Sequence, residues 1–308
     1  MGILVFGSFV VDLTSRCAGL PVPGQTLIGS TFVMGPGGKG SNQAVAAHRA
    51  GADVRLVTRI GGDVFARVAT DFYEKEGMDT GRIIRDGSVH TGTALIMVDE
   101  ASAQNMIVVT PGACAHFTPQ DVEGCRDLLE GAGILLTQLE INFDALHEAI
   151  RIAHRAGVRV VLNPAPAAPV PDDVLVLVDV VTPNETEAEA LTGVRVRDED
   201  SARRAARFFL DRGVKHVVIT LGEMGVYGHD GTRDLLLPRI PVKAVDTTGA
   251  GDAFSGAFVT ALDEGKDLFG AMRFGNAAAA LSVTRPGTAP SMPYREEIDR
   301  LYRENYPD

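Results

Sequence analysis

The chain has 308 residues, 45% of them hydrophobic and 6% aromatic, with no tryptophan and a formal net charge of −11. Such a composition fills a sizeable core, while the acidic balance, the scattered Lys and Arg and the lack of an aromatic stacking surface argue against nucleic acid or an anionic membrane as partner. The 3 cysteines, Cys17, Cys114 and Cys125, show no Cys-x-x-Cys spacing, which excludes a disulfide framework or zinc site and fits a reducing compartment.

In chain order, the first element is a buried strand at Ile3–Phe6, with no basic segment ahead of it as in a signal peptide. Residues 11–35 hold strand-like pieces and turn signals at Pro21, Pro23 and Gly24, but no helix. A helix is predicted at Asn42–Ala50, a strand at Val54–Thr58 and a helix at Val64–Glu76. Residues 92–110 read as a hairpin, Thr93–Val98 and Met106–Thr110, around a polar turn at Asp99–Asn105. Then come a helix at Pro119–Leu129, a strand at Ile134–Gln138, a helix at Phe143–Ala156, and strands at Val158–Leu162 and Val176–Val181. Helices at Glu185–Thr192 and Ser201–Arg212, a strand at His216–Thr220, and helices at Asp252–Leu262, Leu268–Ala280 and Arg295–Tyr302 complete the series. Apolar strands alternating with helices predict an α/β fold with a mostly parallel sheet covered on both faces. The four leftover strands predict a small β lid, residues 11–35 and 92–111, on a core of residues 1–10, 36–91 and 112–308. The alternative is an antiparallel extension of the main sheet. No apolar stretch is long enough to span a bilayer, so the expected location is the cytoplasm.

Chemistry concentrates where predicted strands end, the usual ligand side of such sheets. Asp246-Thr247-Thr248-Gly249-Ala250-Gly251-Asp252 is a glycine turn opening a helix, whose unpaired amides and dipole suit phosphate. Asp252 there is either a helix cap or a base for phosphoryl transfer. Gly35 through Asn42 is a second glycine loop. It matches G-x-G-x-x-G, but it lies far from the first strand, and Asp53 precedes the next strand instead of ending it. Lys39 is followed by Gly40, so the P-loop pattern fails as well. Its amides, Lys39 and Asn42 suit a small polyol; the alternative is a tight connection. Asp12 and Glu140 follow strands and are either hydroxyl acceptors or solvated loop acids. Asn184 and Glu187 form either a plain capping box or a phosphate contact with a carboxylate for Mg²⁺ or its waters. Thr220, Gly222 and Gly225 form a turn that holds phosphates or ribose, or is only a hairpin. The histidines lack metal-ligand spacing.

These residues together resemble the ribokinase (PfkB) family of carbohydrate kinases, nearly end to end. The resemblance rests on Gly37 through Ala47, Gln138-Leu139-Glu140, Asn163 through Pro166, Thr182 through Glu189, Ile219 through Gly222, Asp246 through Asp252, Val283 through Gly287 and Pro290-Ser291. It implies a three-layer sandwich with a β lid that also serves as a dimer contact, and an ATP-dependent kinase acting on the 5-hydroxyl of a pentose. Asp252 would be the general base and the amides of Gly249, Ala250 and Gly251 an anion hole. Asp12, Gly38, Lys39, Asn42 and Glu140 would hold the sugar; Asn184, Thr220, Gly222, Gly225, Gly251 and Asn276 would serve the nucleotide; Glu187 would serve Mg²⁺. Asp246, Thr248 and Ser291, with carbonyls near Ser282, Arg285 and Gly287, would hold a monovalent cation such as K⁺.

One departure stands out. The family carries an Asn at the position of Val10, so an amide that meets sugar hydroxyls has become apolar. D-ribose is the expected substrate; 2-deoxy-D-ribose, which lacks one hydroxyl, or another sugar of the family, is the alternative. A sensor without catalysis is a remote third reading. Ala66, where the family usually has Gly, is expected to matter little.

Overall fold

The computed structural model describes residues 2–102 and 104–307; Ala103, within the expected Asp99–Asn105 turn, lies outside them, as do Met1 and Asp308. Strand β1 (Ile3–Phe6) leads directly into β2 (Val10–Cys17) and β3 (Thr31–Gly37), then helix α1 (Lys39–Arg49). β4 (Val54–Gly61), α2 (Ala66–Glu76) and β5 (Ile83–Asp86) follow, then the hairpin β6 (Gly92–Asp99) and β7 (Asn105–Thr110). The remaining order is α3 (Pro119–Glu123), α4 (Arg126–Gly131), β8 (Ile134–Gln138), α5 (Phe143–Arg155), β9 (Arg159–Asn163), α6 (Asp172–Leu175), β10 (Val180–Val181), α7 (Glu185–Thr192) and α8 (Glu199–Leu210). β11 (His216–Thr220), β12 (Val226–His229), β13 (Asp234–Leu237), α9 (Ala250–Asp263), α10 (Leu268–Ser282) and α11 (Arg295–Asn305) close the series.

Nine strands form one sheet in the order β13-β12-β11-β10-β9-β8-β1-β4-β5. All pairs are parallel except the antiparallel β11-β12-β13 edge. Alternate strand residues sort to two faces. Ile3, Val5, Leu136 and Val218 pack with α1, α9 and α10; Leu4, Phe6, Leu135 and Val217 pack with α5 and α8. That makes a three-layer sandwich. β2, β3, β6 and β7 form a separate sheet in the order β3-β2-β6-β7, so the leftover strands are not an extension of the main one. Its own buried cluster is small: Val10, Ala94 and Ile96.

Several expectations are corrected. The strand expected at Val176–Val181 is only Val180–Val181, because Pro171 starts a helical turn that runs into Val176. The helix expected at Pro119–Leu129 is two, parted at Gly124-Cys125. β5 escaped notice, its Ile83-Ile84-Arg85-Asp86 being short and half-polar. β12 and β13 did too, although the Asp230-Gly231 turn between them, with Asp230 accepting from the amides of Thr232 and Arg233, is an ordinary hairpin signal.

Candidate active site

The two glycine turns meet beyond the carboxyl ends of β1 and β8. Helix α1 has no side-chain cap of its own. Its first amide, Lys39 N, donates to Glu140 Oε2 at 2.9 Å, and Ser8 Oγ donates to the same oxygen at 2.6 Å. Glu140 thus supplies the negative charge a helix start favours, from the end of β8.

Asp252 is not a cap. Helix α9 begins at Ala250, and Gly249 turns into it in the left-handed region at φ 78°, with no side-chain cap. Asp252 lies in the first turn, 7% exposed. Its Oδ2 accepts from Asn42 Nδ2 and its Oδ1 from Gln43 Nε2, both at 2.9 Å. Gln43 Nε2 also donates to Asn163 Oδ1 at 2.9 Å, and Gln43 Oε1 accepts from Gln138 Nε2 at 2.7 Å. Asn163 Nδ2 in turn donates to the Thr182 carbonyl at 2.7 Å. This buried relay of amides fixes the carboxylate in one orientation. Gly256 lets α9 approach α1 this closely: a Cβ there would stand 2.6 Å from the Gln43 carbonyl oxygen. Burial pushes the Asp252 carboxyl above its ordinary range, against Lys39, Gln43 and Asn42. Lys39, whose ammonium burial disfavours, is nonetheless held above its ordinary value by Asp252, Glu140 and Glu187.

An open cavity of about 140 Å³ adjoins Asp252, lined among others by Lys39, Thr182, Asn184, Glu187, Thr220 and Gly251. Asn184 and Glu187 form the reciprocal capping box and also face this cavity. Burial raises the Glu187 carboxyl, with the Asn184 amide opposing, so a cation arriving there would relieve a buried charge. The Thr182 hydroxyl in the wall has no hydrogen-bond partner among the described residues. A Cβ on Gly251 would meet nothing within 4 Å. Packing does not demand glycine at that position; close approach of a ligand would.

The other expected nucleotide residues are less central. Gly222 opens a short turn between β11 and β12, and Gly225 (φ 104°) is required by it, since a Cβ would lie 2.0 Å from the Leu237 carbonyl oxygen. Asn276 donates to the Pro238 carbonyl at 2.9 Å and to the Tyr306 hydroxyl at 2.7 Å, away from the cavity lining.

Asp246 joins the glycine turn to the loop after α10. Its carboxylate accepts from Thr248 N at 2.9 Å and Gly287 N at 3.0 Å. Burial would raise its pKa, but those donors hold it below the ordinary range. The carboxylate therefore bridges the glycine turn and the loop after α10 through two backbone amides. Ser291 sits one turn further on, donating to the Thr288 carbonyl at 2.8 Å; Ser282 Oγ is used by the Ala279 carbonyl at 2.9 Å, and Arg285 pairs with Glu297.

On the lid side, Asp12 Oδ2 accepts from Thr288 Oγ1 at 2.9 Å. Burial, aided by Asp252 and Glu140 and opposed by Thr288, raises Asp12 to about 7. Asn42 Oδ1 is buried without a donor, an acceptor suited to a ligand hydroxyl. Val10, 4% exposed, pairs with Gly37 and Gly92 and packs with Ala94 and Ile96. The site residues that sequence reasoning gave no role are Ser8, Gln43, Gln138, Asn163 and Thr288. The signal for Gln43, Gln138 and Asn163 was an amide in an otherwise apolar helix or strand; Ser8 and Thr288 gave none.

A family model described as pfkB family carbohydrate kinase matches residues 2–295. The chain is 43% identical over 295 residues to the ribokinase of Haemophilus influenzae, covering 96% of each chain. It is 36% identical over 306 residues to the deoxyribokinase of Salmonella typhimurium, covering 99% of this chain and 100% of that one. The structure of Arabidopsis thaliana ribokinase complexed with ribose and ATP superposes with a TM-score of 0.89 at 31% identity, covering 98% of both. The chain belongs to the pfkB family of carbohydrate kinases and is an ATP-dependent sugar kinase. No helix among the described residues is long and apolar enough to cross a membrane.

Proposed function

We propose that this family member transfers the γ-phosphoryl group of ATP to the 5-hydroxyl of D-ribose. The observation that carries the reading is the buried Asp252 carboxylate, clamped by Asn42 and Gln43 at the mouth of α9 beside the open Gly249–Gly251 turn. In the step, the sugar oxygen bonds to the γ-phosphorus, its proton goes to Asp252, and the bond to the bridging oxygen breaks to release ADP. The raised affinity of Asp252 for a proton suits a base, and its two amide donors keep an oxygen aimed. Amides of Gly249–Gly251 meet charge growing on the transferring group. Lys39, held cationic by three carboxylates, adds positive charge beside the transferring phosphates. Asp12, Gly38, Asn42 and Glu140 bind the sugar; Asn184, Thr220 and Gly222 face the nucleotide, with Gly225 and Asn276 supporting it from behind.

Mg²⁺ arriving with ATP would neutralise phosphate charge near Glu187. A monovalent cation such as K⁺ at Asp246, Thr248, Ser291 and the carbonyls of Ser282, Arg285 and Gly287 would stiffen the anion-hole loop. The small sheet covers the sugar, and its exposed Phe32, Val33, Met34, Leu95 and Val108 make the contact between two copies; sedimentation as a monomer would remove that part of the reading. The free thiols of Cys17, Cys114 and Cys125 suit a reducing cytoplasm.

Val10 favours a second reading, 2-deoxy-D-ribose as the preferred sugar, because its apolar cluster offers no partner to an extra hydroxyl. The test is ADP release with Mg-ATP and K⁺, comparing kcat/KM for D-ribose and 2-deoxy-D-ribose, and repeating the comparison with Val10→Asn. A higher value for ribose supports the first reading. A preference for deoxyribose that Val10→Asn reverses supports the second. Sugar binding without ADP formation would leave a sensor.

A further inference from the structure

The carboxylate expected to hold the sugar does not stand on its own strand alone. Thr288 belongs to the loop between α10 and α11, and its hydroxyl reaches Asp12 Oδ2 on β2 at 2.9 Å and the Pro36 carbonyl on β3 at 3.1 Å. One hydroxyl from the core thus grips both neighbouring lid strands. A hydroxyl carries a single proton, so it divides its donation between them, and ionised Asp12 is the stronger acceptor. The other carboxylate oxygen, Oδ1, lies over Gly37, where a Cβ would stand only 2.1 Å away. Between Thr288 and Gly37 the Asp12 side chain has one place to be.

Thr288 is itself held from two sides. The buried Arg49, paired with Glu76 at 2.8 Å, donates to the carbonyls of Ala289, Pro290 and Met292 at 3.3, 3.1 and 2.8 Å. On the other side Thr288 backs onto the anion-hole turn: a Cβ on Gly249 would be 3.3 Å from its Cα. The preceding residue, Gly287, is tied to Asp246. The loop is therefore fixed to the core and to the phosphate turn, while its hydroxyl alone reaches the sugar side.

We infer that Thr288 is a positioning residue for sugar binding, its hydroxyl holding the Asp12 carboxylate in the orientation that receives the sugar and fastening the lid strands to the loop behind Gly249. The inference rests on the reading of Asp12 as a sugar ligand. Thr288 touches neither sugar nor phosphate in this scheme.

The experiment measures kcat, sugar KM and ATP KM for the full chain as Thr288→Val and Thr288→Ser, using whichever pentose the wild type prefers. Valine keeps the shape and removes the hydroxyl; serine keeps the hydroxyl. Losing a hydrogen bond to a charged group predicts a sugar KM about tenfold or more higher in Thr288→Val. ATP KM and kcat stay within about twofold, and Thr288→Ser returns the sugar KM close to wild type. A general loosening of the loop against Gly249 would instead lower kcat and raise both KM values in either variant, and would overturn the inference. So would an unchanged sugar KM in Thr288→Val. If the wild type phosphorylates no pentose, the proposed function falls and takes this inference with it; if the wild type is active and only the Thr288 pattern fails, the proposed function stands.

Discussion

The amide network around Asp252 in the core and the inner face of the small sheet are built in opposite ways. Around Asp252, four amide side chains are buried to 9% exposure or less: Asn42 and Gln43 donate to the carboxylate, and Gln43 is held by Gln138 and Asn163. Each link limits the next, so the carboxylate is organised before any ligand arrives. The small sheet has a buried cluster of three residues, a wealth of exposed apolar side chains, and a carboxylate anchored by one hydroxyl from elsewhere. The contrast is between a carboxylate fixed by several linked amides and one fixed by a single hydroxyl reaching across from another loop.

The sharpest way to break the comparison is Asp252→Asn, which is isosteric but a poor base, and which sets an amide against Asn42 and Gln43. Turnover should fall by about 10²–10⁴-fold, with sugar KM little changed; retained turnover would remove the base from the core. Next is Gly251→Val. A Cβ there would meet no protein atom within 4 Å, so folding and thermal stability should hold, while kcat/KM for ATP drops by about 10²–10³-fold, the scale of losing one anion-hole donor. Loss of stability with normal ATP use would show that the glycine serves packing. The mildest test uses pH and probes the lid. Asp12, raised to about 7 chiefly by burial, accepts sugar hydroxyls best when ionised. Sugar KM should therefore rise as pH falls below about 7, approaching tenfold per unit, with ATP KM flat over that range. The sign for stability is opposite: the folded chain holds this proton to a higher pH than the unfolded one, so Asp12 costs stability as pH rises through this range. A sugar KM independent of pH between 5 and 8 would remove Asp12 from the sugar.

Much of the core was legible in sequence. The strands Ile3–Phe6, Ile134–Gln138 and His216–Thr220 and the helix Glu185–Thr192 were read to the residue, because continuous apolar runs and a capping box are local signals. Val180–Val181 was not, because a strand of two residues is held by its neighbours β9 and β11 and not by its own pattern. In the site, the glycine turns and acids at strand ends were visible. The partners of Asp252 were only half visible: Gln138 and Asn163 are ordinary strand-end residues until α1 and α9 bring Gln43 between them. Thr288 gave no signal, since its role depends on a residue 276 positions away.

The same distances bear on how the protein comes to life. The bonds that fix Asp252 join residues 209 and 210 apart, and Arg49 reaches loop carbonyls 240 to 243 positions ahead. Contacts this remote close late, because loop-closure entropy must be overcome before they return anything. On the ribosome, α1 and its polar side chains emerge long before α9 is made, and for that interval Gln43 and Asn42 have no carboxylate to hold. The bonds that fix Asp252 are complete only once α9 lies against α1.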